Sequence, residues 1–210
     1  MDLNDILEKR YSCRSYSNKE VDDGLIFNII QNSVLAPNSG NLQAWKFIII
    51  KNKEKREEIA LGCIKQMWMT QAPVHIVICS DLDVLSKQYK NRADLYATQD
   101  CAAAAENILL LATNYGLASC WVGAFDNPMI KRTLSIPDNI IPKIIITLGY
   151  ESKKPREKIR YSIDSYTFFD EYGNKSLDKG IFPLAKNKEI VKEKSKNLFL
   201  KIKNLFKHSE

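Results

Sequence analysis

The spacing of apolar and polar residues divides this chain into short, well-punctuated elements. Residues 3–9 predict a short opening helix that delivers the chain to Arg10-Tyr11-Ser12-Cys13-Arg14-Ser15-Tyr16. A second helix is expected from Asp22, a good N-cap, with Val21 placed as a hydrophobic staple. Its apolar face takes Leu25, Ile26, Ile29, Ile30 and Val34, and Pro37 marks its end. A polar loop, Asn38-Ser39-Gly40-Asn41-Leu42-Gln43, precedes a strand-like run from Trp45 to Ile50. Lys53 to Met67 predicts a helix, and Val74 to Cys79 a buried strand. Ala102 to Tyr115 predicts a strong helix stopped by Gly116, and Ser119 to Val122 is short and apolar. Asn127 to Leu134 predicts a further helix, and Ile144 to Leu148 the last strand. Strands interleaved with helices in this order imply an α+β or α/β protein with a central sheet. Beyond Lys153 the chain is charged and extended, which implies an arm.

Composition narrows the class. At 210 residues, 45% apolar and 27% charged, the chain has the balance of a soluble globular domain able to bury a sizeable core. Its longest unbroken apolar runs fall far short of the ~20 residues of a membrane helix. Met1-Asp2-Leu3-Asn4-Asp5 has neither the basic head nor the apolar run of a signal peptide. The five cysteines form no CxxC and, with only two histidines, imply no zinc site; a cytoplasmic protein with reduced thiols is expected. The net charge of +6 resembles a nucleic-acid signal until it is located: from Ser176 onward nine lysines face four acids, so the main body is nearly neutral. No nucleic-acid partner is therefore expected. Within the tail, residues 189–207 set Val191, Leu198, Ile202 and Leu205 at helical spacing among lysines. That predicts an amphipathic basic helix, which either packs on the protein itself or docks on an anionic membrane surface.

Candidate chemistry begins with absences. There is no GxGxxG, GxxxxGK[ST] or GxSxG, and His75 sits inside an apolar strand pattern, so no general base and no catalytic side chain is apparent. Open polar loops without an acid–base set point to chemistry borrowed from a cofactor. Arginine is scarce beside lysine, and two of the seven are Arg10 and Arg14. In extended chain Arg10, Ser12 and Arg14 share a face, where two guanidinium forks and a hydroxyl suit a terminal phosphate; a solvated basic turn is the alternative. The amides and hydroxyl of Asn38, Ser39, Asn41 and Gln43 either meet the edge of a heteroaromatic ring or simply cap a loop. Gly123, after Cys120-Trp121-Val122, either lets a backbone N–H approach a ligand or makes a tight strand exit.

Together these segments resemble the FMN-dependent nitroreductase family. Its R-x-S-x-R opening is matched by Arg10, Ser12 and Arg14 with Tyr16 following, and its proline and N-x-Q-P-W block by Pro37, Ser39, Asn41, Gln43 and Trp45. Gln66, Trp68, Ala72 and Pro73 match the next block, Gly116, Leu117, Cys120, Trp121 and Gly123 the late one, and Leu148 to Tyr150 the L-G-Y. Asn38 stands where a serine is common, and Ala44 where proline is usual. The resemblance implies an α+β three-layer sandwich with a mostly antiparallel central sheet, over residues 1–172. It implies an intertwined homodimer with two shared FMN sites, and leaves 173–210 as a basic extension. In each site Arg10, Ser12 and Arg14 would hold the phosphate and ribityl chain, joined by Lys158 or Arg160. Pro37, Asn38, Ser39 and Asn41 belong to the binding set, the last three coming from the partner subunit. Gln66 would touch the pyrimidine edge, and the backbone at Val122 and Gly123 would face flavin N5. The implied activity is ping-pong hydride transfer from NADH or NADPH, through the flavin, to a nitroaromatic, quinone or activated alkene. A flavin sensor or storage protein with little turnover, and a protein acting through its basic C-terminal helix, are the rival classes.

Overall fold

A computed structural model describes residues 2–153 and 158–175, which belong to two separate units. In the first unit the helices are α1 (Leu3–Lys9), α2 (Asp23–Ser33), α3 (Lys53–Gly62), α4 (Leu82–Tyr89), α5 (Ala93–Asn114) and α6 (Asn127–Leu134). The strands are β1 (Trp45–Ile50), β2 (Val74–Asp81), β3 (Ala118–Val122) and β4 (Ile140–Gly149). They form one sheet in the order β1-β2-β4-β3, with every neighbouring pair antiparallel. This is the expected α+β class.

Three layers follow from the two faces of the sheet. On one face Ile76, Ile78, Ile144, Ile146 and Leu148 pack against Ile26 and Ile29 of α2 and against Ala104, Ala105 and Ile108 of α5. On the other, Val77, Cys79, Ile145 and Val122 meet Ile59 and Ala60 of α3 and Ile130 of α6. Strand β2 is covered on both faces, which is why it lacks the alternation of a half-exposed strand. The alanine-rich side of α5 allows a close approach to the sheet. All five cysteines are buried and free, and burial pushes the Cys63, Cys79 and Cys101 thiols up to about 12, far from thiolate reactivity.

Several boundaries differ from the sequence expectation. The helix expected over 53–67 stops at Gly62; Ile64 and Lys65 then take left-handed φ values of 55° and 54°, and a 3-10 turn runs from Met67 to Gln71. Helix α5 begins at Ala93 rather than Ala102, and α4 was not anticipated. Strand β4 starts at Ile140, and the β2–β4 register shifts between Ile78 and Cys79. In the second unit, a 3-10 turn at Ile163–Ser165 leads to a Phe168–Tyr172 ring pair 4.5 Å apart. Ile159, Tyr161, Tyr166 and Tyr172 are exposed there. The amphipathic helix expected over 189–207 lies outside the described residues. Among the described residues no helix is long and apolar enough to cross a membrane.

Gly149 shows how tightly the end of β4 is packed. A Cβ there would lie 2.6 Å from Pro73 Cδ and 3.0 Å from Tyr16 Cδ1. Neither a proline ring nor a buried tyrosine retreats easily, so Gly149→Ala is expected to cost about 1–3 kcal/mol by overpacking. An unchanged urea midpoint would show that the ring and the tyrosine give way freely.

Candidate active site

The segment after α1 is held against two strand ends. Ser12 bridges Ser119 in parallel sense on the free edge of β3, with the Cys13 N–H donating to the Ser119 carbonyl at 2.9 Å. Further on, Tyr16 bridges Glu151, and the Ser17 N–H donates to the Tyr150 carbonyl at 2.8 Å. Two tyrosines lock the segment from the inside. Tyr16 Oη donates to the Cys13 carbonyl at 3.0 Å and shares a 2.7 Å hydrogen bond with Thr147 Oγ1. Tyr11 donates to the Glu151 carboxylate. Burial raises the ionisation of both phenols well above the usual tyrosine range, so they are neutral donors at any working pH.

What this leaves outside is cationic. Arg10 reaches Glu106 of α5 loosely, at 3.9 Å. Arg14 has no ion pair among the described residues; its guanidinium lies 5.7 Å over the Trp68 ring and beside the Cys120 thiol. Burial raises that thiol, while the Arg14 charge and the Ser12 hydroxyl oppose the rise. Ser12, Arg14, Cys120 and Trp68 therefore share one patch on the β3 edge.

Gln66 and Trp68 are presented by the link after α3, and that link is bolted down. Arg56 Nη1 donates to the carbonyls of Thr70 and Ala72 at 2.8 and 2.5 Å, and the buried His75 Nε2 is 2.9 Å from the Met69 carbonyl. Val122 is buried with Cys63 and Met69, and the Asp126 N–H donates to the Gly62 carbonyl at 2.8 Å, so the exit of β3 is tied to the same link. Gly123 is exposed there, and a Cβ on it would touch Trp121 Nε1 at 3.4 Å, ordinary contact. Gly123 has no left-handed φ, so its use is the open approach to its backbone and not a strained turn.

The polar loop after α2 makes a different set of contacts. Pro37 is exposed, and Asn38 Oδ1 accepts from the Gln43 N–H at 2.9 Å. Ser39 donates both its N–H and its hydroxyl to Asp100 Oδ1 of α5, at 2.9 and 2.8 Å. Gly40, Asn41 and Gln43 are left-handed, with Gly40 close against the Tyr89 hydroxyl. This loop thus packs on α4 and α5, whereas the Arg14 patch packs on β3 and the 67–71 turn. Lys158 and Arg160 belong to the other unit, where the Arg160 guanidinium bonds the Ile159 carbonyl at 2.9 Å. Asp100 and Arg56 were not singled out in the sequence, and Tyr16 only as the aromatic that follows the arginine motif. Each acts through a partner at least fourteen positions away in the chain, so no short motif signals those roles.

The fold is a helix-flanked antiparallel sheet that carries a cationic and aromatic patch, Arg14 over Trp68, on its β3 edge. The comparisons agree. The nitroreductase family model matches residues 7–68 and 60–150. A Methanothermobacter thermautotrophicus protein whose name places it with the NADH dehydrogenase/NAD(P)H nitroreductases is 32% identical over 161 residues, covering 74% of this chain and 80% of its own length. The FMN reductase (NADPH) of Bacillus subtilis is 26% identical over 163 residues, 69% of this chain and 66% of its own. A nitroreductase family protein of known structure from Clostridium difficile superposes with a TM-score of 0.72 at 28% identity, covering 81% of this chain and 99% of its own. The chain belongs to the nitroreductase family, a family of NAD(P)H-dependent oxidoreductases.

Proposed function

We propose that this protein is an FMN-dependent oxidoreductase that accepts reducing equivalents from NADH or NADPH and delivers them to an electron-poor acceptor, a nitroaromatic, quinone or activated alkene. The observation that carries the reading is the uncommitted Arg14 guanidinium beside Ser12 on the β3 edge, with Trp68 beneath it. A cation with no carboxylate partner among the described residues, next to a hydroxyl and a second loosely paired arginine, fits a phosphate dianion. Arg10, Ser12 and Arg14 would hold that phosphate. Gln66 would hydrogen-bond the pyrimidine edge. Asn38, Ser39 and Asn41 would be supplied by a second subunit, which suits a loop that in its own subunit packs elsewhere.

Bound FMN would supply the two-electron carrier that couples donor and acceptor in alternating half-reactions. The chain's own part is binding and orientation. The backbone at Val122 and the exposed Gly123 would offer an N–H to the reacting edge of the ring, and neutral Tyr11 and Tyr16 would hold the phosphate segment in place.

The deciding experiment is the absorbance spectrum of the purified protein, with identification of the released flavin. About one FMN per subunit, bleached rapidly by NAD(P)H and recoloured by a quinone, is expected. A colourless protein that takes up no FMN would overturn the reading, and bound flavin that NAD(P)H leaves oxidised would favour a storage or sensing role. Gly123→Val is expected to slow reduction by NAD(P)H more than it lowers flavin content, since branching there crowds the approach to the backbone donor. Stopped-flow bleaching checks this, and an unchanged rate would remove Val122 and Gly123 from the assignment.

A further inference from the structure

Asp100 is a buried carboxylate in α5 that none of the roles above uses. Its Oδ1 accepts two hydrogen bonds from one residue, the Ser39 N–H and hydroxyl, across 61 positions of chain. Its Oδ2 is buried with no hydrogen-bond partner among the described residues. A carboxylate held this way is a costly filler of space, because its desolvation is only half compensated. What it does achieve is to fix one loop.

That loop needs fixing. Gly40, Asn41 and Gln43 have φ values of 56°, 56° and 49°, and two of the three are not glycine. The Ser39 hydroxyl, turned inward onto Asp100, is engaged in its own subunit. The Asn38 and Asn41 side-chain amide N–H groups keep no partner among the described residues. Hydrogen bonds to Asp100 thus hold the backbone between the half-buried Asn38 and the exposed Asn41, whose amide N–H groups are unpaired among the described residues.

We infer that Asp100 is a positioning residue for the cofactor site of the other subunit. Through Ser39 it sets the loop that presents Asn38 and Asn41 to FMN held by the partner's Arg10, Ser12 and Arg14. The inference rests on the FMN reading above and adds a direction to it: substituting Asp100 empties the site across the interface, not the site in its own subunit.

The test is complementation by flavin content. Arg14→Ala and Asp100→Leu chains carrying different affinity tags are co-expressed, and the hybrid dimer is isolated through both tags. Each variant homodimer is expected to hold less than about a tenth of the parent's FMN. The hybrid should recover about half of it, because one of its two sites then contains neither substitution. A hybrid as empty as the two homodimers, or an Asp100→Leu homodimer as full as the parent, overturns the inference while leaving the FMN reading intact. A parent that binds no FMN overturns the reading itself. If Asp100→Leu does not fold, Asp100→Ala takes its place in the same hybrid, with the same outcomes. Asp100→Asn, which keeps the Oδ1 acceptor, should hold an intermediate amount of flavin and restore the visible circular dichroism that Asp100→Leu loses.

Discussion

Arg14→Ala is expected to lose FMN on gel filtration, with its dissociation constant raised about ten- to a hundredfold. Charge-assisted hydrogen bonds are worth roughly 1.5–3 kcal/mol each, and about 1.4 kcal/mol is a factor of ten in affinity. Arg14 stands at the upper end of the site's contributors because no carboxylate among the described residues shares its charge. Arg10, already drawn toward Glu106, is expected to matter less. Arg14→Lys should restore only part of the affinity, since an ammonium lacks the planar fork and lies differently on the Trp68 ring. Titration of FMN followed by fluorescence quenching checks the order. Equal affinity for parent and Arg14→Ala would move the phosphate elsewhere.

The second large effect is on acid stability, and it comes from His75. Burial lowers its pKa from 6.5 to about 4, and the Arg56 charge pushes the same way, against the Met69 carbonyl that favours the charged ring. The folded protein therefore prefers the neutral imidazole, with Nε2–H given to Met69 and Nδ1 left without a partner. Between pH 6.5 and 4 the unfolded chain binds the proton and the folded one does not. The stabilisation is thus complete above pH 6.5 and is lost as the pH falls toward 4. A shift of this size corresponds to about 3 kcal/mol, at about 1.4 kcal/mol for each pK unit. His75→Gln should be less stable at pH 7 but should lose less on acidification over that window. Parallel pH profiles of the urea midpoint for parent and variant would dismiss His75 as the titrating group. Because His75 and Arg56 both hold the turn that carries Trp68, flavin should loosen over the same pH range.

The fold was legible where one period ran undisturbed. Strand β1 and helix α6 stand where the sequence places them, and α2 starts at its expected cap but ends at Ser33, short of Pro37. The break after Gly62 was not legible: Cys63 and Met67 continue the apolar spacing, and nothing local announces left-handed isoleucine and lysine. Tertiary ties, from Gly62 to Asp126 and from Arg56 to Thr70, impose it. Helix α4 did carry a signal, with Asp81 capping the N–H groups of Asp83 and Val84 ahead of buried Leu85. The first turns of α5 carried less, because residues 93–100 offer only alanines and Asp100 to the interior. In the site, side chains expected to meet a ligand were visible as motifs. Two residues that hold neighbouring segments were not, since Arg56 and Asp100 act on distant backbone or a distant loop.

The docking of residues 12–17 onto β3 and β4 fixes an order of assembly. Ser12 must wait for Ser119, and Ser17 for Tyr150, before either can pair. During synthesis the arginine-bearing segment emerges among the earliest residues of the domain and stays without its seat until nearly the whole domain has left the ribosome. Closing so long a loop is slow, and it comes after the more local packing of α2 and β1. The arginine-bearing segment thus cannot take its native place before β3 and β4 exist, and a nascent chain halted before β4 has the arginines but nowhere to put them.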